Sequence, residues 1–307
     1  VEGFANHRPD VEIGGVILNR IAGARHRQMM EPALAATGVP VLGYLPRSQE
    51  LELASRHLGL VQAHELAALE DWIDRAAGLV ADHVDLARFM ELARPTAFDP
   101  AAAPGPPIPP LGGRIAVARD AAFGFCYDHV LAGWHAAGTE LIFFSPLADE
   151  PPDGAADAVY LPGGYPELHA GALSAADGFL AGLRGCAGRG ATIYGECGGF
   201  MVLGDGLIDA EGRHFPMAGL LPVETSFAER RLCLGYRKLA LRADSPLGKV
   251  GARFRGHEFH YSRQTKDTVG AALFATEDAL GCTLAPAGGR AGSVMGSYIH
   301  LIDKEAG

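Results

Sequence analysis

Long apolar runs, basic charge, paired cysteines and aromatic rings are all scarce in this sequence, and each scarcity excludes something. No stretch of about 18 consecutive apolar residues occurs, so no membrane-spanning helix is expected. The opening VEGFANHRPD has neither a basic nor an apolar region and does not read as a signal peptide. The five cysteines are odd in number, and none are spaced as CxxC. That argues against a zinc site and against a disulfide framework. No metal site is expected, and a reducing, cytoplasmic setting fits best. The net charge of −10 disfavours nonspecific nucleic-acid binding, so an acidic ligand would need a local basic patch. Aromatics make up 8% of residues against 48% hydrophobic overall, which predicts an aliphatic core. No G-x-x-x-x-G-K-[ST] occurs, so the phosphate-cradling loop is absent from this chain. There is no repeat of fixed period.

What the sequence does hold is enough chain, 307 residues, for about two domains. It starts without Met and with strand-like VEIGGVILN ten residues in, which predicts residues upstream; a trimmed piece and a natural terminus both stay open. Residues 94–112, RPTAFDPAAAPGPPIPPLG, are rich in Pro, Ala and Gly and read as a semi-rigid linker. This divides the chain into 1–93 and 113–307. In the first part we expect strands at Gly15–Leu18 and Val39–Leu42, and helices over about 26–36, 61–77 and 81–92. In the second we expect strands at Ile115–Ala118, Glu140–Phe144, Ala158–Leu161 and Ala191–Tyr194. Helices are expected over 127–137 and 175–184, with another opening at Gly198. Strand–helix alternation of this kind predicts an α/β fold with a parallel sheet, whose active site would lie at the carboxyl ends of its strands. From about Phe215 the pattern turns to short strand-like pieces.

The strongest motif is Gly195-Glu196-Cys197-Gly198-Gly199, between a strand and the apolar Phe200-Met201-Val202-Leu203. Strand, sharp turn and helix with a nucleophile at the tip is the pattern of a nucleophile elbow, where glycines relieve the crowding. Cys197 would face a helix N-terminus that favours thiolate. The Gly198 amide, directly after it, could donate to an oxyanion. The plainer alternative is a buried free cysteine beside a turn. The other four cysteines lack this setting and read as packing residues. Pro162-Gly163-Gly164-Tyr165-Pro166-Glu167 closes the preceding strand, and Gly164 is the candidate for a second oxyanion donor; an ordinary turn is the alternative. A cysteine nucleophile needs a base. Of twelve histidines, His300 stands out because it ends the apolar strand Ser297–Ile299 about a hundred residues after Cys197.

PGGYPE, GECGGFM, GHEFHYS and GSYIHL, in this order, resemble the cobyrinate a,c-diamide synthase family, which includes the hydrogenobyrinate a,c-diamide synthases of cobalamin biosynthesis. RDAAFGFCYDHVLAGWHAAGTELIFFSPLADE resembles the start of the same domain, so the likeness covers residues 113–307. It implies a class I glutamine amidotransferase-like, flavodoxin-like glutaminase domain. Before the linker, GVILNRIAGARH, GVPVLGYLPR and RHLGLVQAHE resemble the C-terminal part of the family's P-loop, dethiobiotin-synthetase-like ATP-binding domain. There the resemblance makes Asn19, after its strand, a candidate adenine contact, with the loop Leu45-Pro46-Arg47 as the other wall.

The implied reaction is glutamine hydrolysis by Cys197 and His300, with Gly164 and Gly198 holding the oxyanion. The ammonia amidates the a and c carboxylates of hydrogenobyrinic or cobyrinic acid at the expense of ATP with Mg2+. The nucleotide site would lie mostly outside this chain. Two departures stand. Other class I glutaminases carry a carboxylate two residues after the base, and the family often a second His; here the residue is Ile302. His300 is then oriented by something else. Within GHEFHYS, His257, Glu258 and His260 alternate along a strand; Glu258 could orient His300 or touch substrate, with His257 a second candidate, and a polar strand-edge network is the alternative. Arg230, Arg231, Arg237, Lys238, Arg253 and Arg255 form a basic cluster that would suit a polyanion, or is simply a solvated face. Neither membrane nor nucleic-acid partners are expected; oligomeric state is unreadable, a homodimer being one candidate. Other readings are a glutaminase serving another ligase acceptor, such as a cell-wall or pyridoxal precursor, and a non-catalytic module on the same fold.

Overall fold

The computed structural model describes residues 1–53, 63–66, 68–94, 105–266 and 272–305. The chain forms two compact units, Val1–Ala101 and Ala102–Gly307. Of the expected linker 94–112, residues 95–104 lie outside the described residues. Its remainder from 105 onward belongs to the second unit. There Ile108 and Leu111 are buried, and the Trp134 Nε1–H donates to the Ile108 carbonyl at 2.9 Å.

In the first unit, strands Val16–Ile21 and Val41–Pro46 pair in parallel, joined through the helix Ala24–Ala35. Leu18, Ile21 and Leu34 form a small core. The expected helices over 61–77 and 81–92 are displaced. One helix runs Leu69–His83 and a second Leu86–Leu92, while residues 61, 62 and 67 lie outside the described residues. The break falls where Val84 turns extended and bridges Gly43. Asp85 then caps the next helix by accepting the Arg88 N–H at 2.9 Å.

The second unit is built on a six-stranded sheet. Its order is Gly289–Ala291, Val294–Ser297, Thr192–Glu196, Ala158–Leu161, Arg114–Ala118, Glu140–Phe144. The last five strands are mutually parallel, and the first is an antiparallel edge. Strands buried on both faces read as the short apolar runs seen in the sequence. One face packs on the helices Ala170–Ala175, Asp177–Gly188 and Gly198–Leu203, around Leu161, Phe179, Leu183 and Phe200. The expected helix over 175–184 starts later, at Asp177, and runs on to Gly188, with Ala176 separating it from the helix Ala170–Ala175. The other face packs on a five-stranded antiparallel sheet, ordered Thr283–Ala287, Phe274–Asp278, Cys233–Leu241, Arg253–His260, Ile299–Lys304. Leu239, Phe254, Phe274 and Leu301 meet Val117, Tyr160 and Met295 there. A smaller four-stranded sheet completes the unit. Among the described residues, no helix is long and apolar enough to cross a membrane.

Candidate active site

The expected strand Ala191–Tyr194 runs as Thr192–Glu196, and a six-residue helix, Gly198–Leu203, starts two residues later. Cys197 alone turns the corner, with φ 47° and ψ −106°, a strained backbone for a residue with a side chain. The bend works because the glycines yield space. A β-carbon on Gly199 would lie 2.0 Å from the Leu161 carbonyl oxygen.

Cys197 is 4% exposed. Burial, reinforced by Glu167, pushes its thiol from 9.0 up to about 12, against the pull of the Gly198 amide hydrogen bond. The expected thiolate is therefore not the resting form. A helix N-terminus contributes about 0.3–1 kcal/mol, less than one pK unit at about 1.4 kcal/mol, and desolvation outweighs it.

His300 is not at the end of a strand Ser297–Ile299. The parallel strand ends at Ser297, and after Tyr298 the chain enters the second sheet, so that His300 is the second residue of Ile299–Lys304. One chain thus leaves the central sheet beside the Cys197 elbow and delivers the imidazole from the sheet below. The Cys197 N–H donates to the Ser297 carbonyl at 2.8 Å, tying the two segments together. Gly163 reports how close the pair lie. A β-carbon there would stand 2.3 Å from His300 Cε1, 3.1 Å from Nε2 and 3.3 Å from Cys197 Cβ. Burial, with His257 and His260 nearby, lowers the His300 pKa to about 3, so its imidazole is neutral. A neutral imidazole beside a thiol can accept the proton as the sulfur attacks.

Gly164 and Gly198 are also neighbours: a β-carbon on Gly198 would be 3.1 Å from the Gly164 nitrogen. Among the described residues no hydrogen bond is made by the Gly164 amide. Backbone N–H groups that lie together beside a nucleophile can hold an oxyanion.

Glu258 and His257 part company, as strand alternation requires. The His257 ring stacks on His300, centroids 4.9 Å apart and planes 7° off parallel, and its Nε2 hydrogen-bonds the Tyr127 hydroxyl. Glu258 turns the other way, to Arg237 at 2.8 Å and His260 Nε2 at 2.9 Å. It does not face His300. The carboxylate that does is Glu196, which the sequence reading passed over: its Oε2 lies 4.0 Å from His300 Nδ1. The signal was the strand period, since Tyr194 and Glu196 share a face two residues apart.

The basic cluster splits between faces for the same reason. Arg253 and Arg255 both engage Glu305, whereas Arg231 and Arg237, with Arg242 and Arg263, line a cavity of about 920 Å³ that also holds Cys233, Glu258, His260 and Tyr298. Cys233, Glu258 and His260 bring one donor atom each within 4.8 Å of one another. Glu258 is already engaged by an arginine and His260 by Ser262. In the first unit Asn19 stands inside its strand rather than after it and is exposed, and Leu45 and Pro46 are strand residues rather than loop.

Residues 114–306 match the CobB/CobQ-like glutamine amidotransferase domain family. Over 99% of its length the chain is 52% identical to a hydrogenobyrinate a,c-diamide synthase of Sinorhizobium, covering 69% of that protein. It is 51% identical to the enzyme of the same name from Brucella anthropi and 50% identical to that from Rhizobium meliloti, with the same coverage of both chains.

Proposed function

The chain belongs to the hydrogenobyrinate a,c-diamide synthase family, with a class I glutamine amidotransferase-like domain over residues 114–306, and from that premise we propose how its residues divide the work. It is a glutamine-hydrolysing carbon–nitrogen ligase of cobalamin biosynthesis. The observation that carries the glutaminase assignment is the meeting of Cys197 and His300 across Gly163.

Glutamine presents its side-chain amide to the elbow. The Cys197 sulfur bonds to the carbonyl carbon while its proton passes to His300. The Gly164 and Gly198 amides hold the oxygen that becomes anionic. Collapse breaks the carbon–nitrogen bond, and the His300 proton leaves with the nitrogen as ammonia. Water, deprotonated by His300, then cleaves the thioester to glutamate and restores the thiol. Ammonia amidates the a and c carboxylates of hydrogenobyrinic acid. Two amides form, so two glutamines are consumed per corrinoid.

A carboxylate does not take ammonia in water unless it is activated, and ATP with Mg2+ is the co-substrate we assign to that step. The described residues of the first unit do not fit a phosphate cradle. The helix Ala24–Ala35 opens on a single glycine, Gly23, and continues Ala-Arg-His-Arg with no lysine–hydroxyl pair. Asn19 is the proposed base contact. The arginine-lined cavity is the surface we assign to the acetate and propionate groups of the corrin. Five unpaired cysteines support a reducing, cytoplasmic setting.

The test is glutamate release by the purified protein, with amides counted by mass spectrometry when hydrogenobyrinic acid and ATP are added. Cys197→Ala is expected to lower glutamine hydrolysis by about 10³-fold or more, with amidation from free ammonia surviving in the intact enzyme. Hydrolysis by the alanine variant at the wild-type rate would end the assignment.

A further inference from the structure

His300 needs an orienting partner. A base that takes a proton on Nε2 must carry its own hydrogen on Nδ1, and something must fix that tautomer and then bear the imidazolium. Two residues after the base the chain has Ile302, whose carbonyl accepts from His129 Nε2 at 2.8 Å and whose side chain can do neither job.

We propose that Glu196, the residue immediately before the nucleophile, is the positioning carboxylate for His300. The inference rests on the glutaminase reading above. The imidazole lies with its Cε1–Nε2 edge toward Gly163 and Cys197, while Nδ1 is 4.0 Å from Glu196 Oε2. That is too long for a hydrogen bond in the resting state and short enough for an ion pair once the ring is charged; such bonds commonly tighten only when substrate is bound.

Both groups are buried, with side chains 5% and 4% exposed, so the attraction is little screened by water. The carboxylate is itself held from three sides. Tyr160 donates to Oε2 at 2.9 Å, and Oε1 accepts from the Tyr194 hydroxyl and the Leu301 N–H, each at 3.1 Å. The last of these is the peptide directly after His300. One side chain therefore fixes the backbone that carries the base and lies beside the Nδ1 edge of its ring. The stacked His257 closes the ring's face. The elbow thus couples nucleophile and base through adjacent residues: Cys197 and Glu196 both lie beside the imidazole that the second sheet delivers.

A purely structural carboxylate would be served as well by an amide. Glu196→Gln, folded as judged by circular dichroism and melting, is expected to lower kcat for glutamine hydrolysis by about 100-fold with KM unmoved. Glu196→Asp is expected to restore part of it. Burial raises the Glu196 pKa to about 7, and the groups facing it are Tyr160, Tyr194, Cys126, Tyr127, Cys197 and His300. Those neighbours titrate far from neutrality where their shifts are resolved. The acid limb of kcat/KM in the wild type then belongs to Glu196, and it disappears in the glutamine variant. Wild-type kcat with an unchanged pH profile in Glu196→Gln would overturn the proposal. Should that variant not fold, ¹⁵N-histidine NMR of the wild type decides. The resonance lost in His300→Gln must report a proton on Nδ1, and a proton on Nε2 overturns it. Cys197→Ala is assayed alongside: if it still hydrolyses glutamine, the glutaminase reading has failed, and not the role of Glu196.

Discussion

Gly163 has no room for a methyl group. Its β-carbon would overlap the edge of His300 and press on Cys197, and the imidazole is the softer of the obstacles. Gly163→Ala is therefore expected to fold, with a cost of about 1–3 kcal/mol for overpacking. It should lose about 100-fold in the rate of glutamate release, the usual penalty for moving a catalytic group by an ångström. Glu196 makes the opposite trade. Its folded pKa, about 7, stands above its ordinary 4.5 because burial disfavours the charge. A raised value means that the stabilising contribution is complete below pH 4.5 and is lost as pH rises through 7. Glu196→Gln should therefore gain melting temperature relative to wild type on going from pH 5 to pH 8, measured by scanning calorimetry, while activity falls. The position of Cys197 at an elbow was legible in the sequence because a glycine-flanked cysteine at a strand–helix junction is an uncommon local pattern, whereas His300 was singled out as the end of a strand and lies instead inside the next one, where it still comes beside Cys197. Glu196 was not, although it sits in the same five-residue motif. Its meaning comes from a partner about a hundred residues away, and no local spacing encodes that contact.

The strands that carry these side chains depend on a core that lies between two sheets. Phe254 is fully buried in the strand Arg253–His260, packs edge-on against Phe274, and fixes the register that sets His257 opposite His300. Phe254→Ala is expected to cost about 3–5 kcal/mol, read as a lower urea midpoint with an unchanged slope. Parallel strands were legible to the residue at Ala158–Leu161, a short unbroken apolar run buried on both faces, and at the edge strand Glu140–Phe144, whose Leu-Ile-Phe-Phe run is rich in β-branched and aromatic residues although it is only partly buried. The final strand was misread because GSYIHL reads as one continuous strand-like run, buried along its whole length. Periodicity cannot show that a run changes sheet at Tyr298. Helix ends over 81–92 and 175–184 were misplaced where a single non-helical residue, Val84 or Ala176, interrupts an otherwise helical composition.

Over the whole molecule a net charge of −10 coexists with a cavity faced by Arg231, Arg237, Arg242 and Arg263. Local arrangement thus matters more than the total for an acidic ligand. The basic cluster was visible in the sequence, but its division was not. Arg253 and Arg255 pair with Glu305, far along the chain, while Arg231 and Arg237 lie on the cavity, the latter bridged there by Glu258. Arg242→Glu is expected to raise KM for hydrogenobyrinic acid by about tenfold, one charge-assisted hydrogen bond's worth, and to leave KM for glutamine unchanged in the glutaminase assay. The two constants separate the corrin surface from the elbow.

A diazoketone analogue of glutamine, which alkylates the thiol that attacks it, tests the elbow without any substitution. Peptide mass mapping after incubation is predicted to place a single adduct on Cys197, blocked by excess glutamine, with Cys126, Cys186, Cys233 and Cys282 unmodified. An adduct on any of those four that glutamine protects, or none on Cys197 while glutamine is still being hydrolysed, would contradict the account.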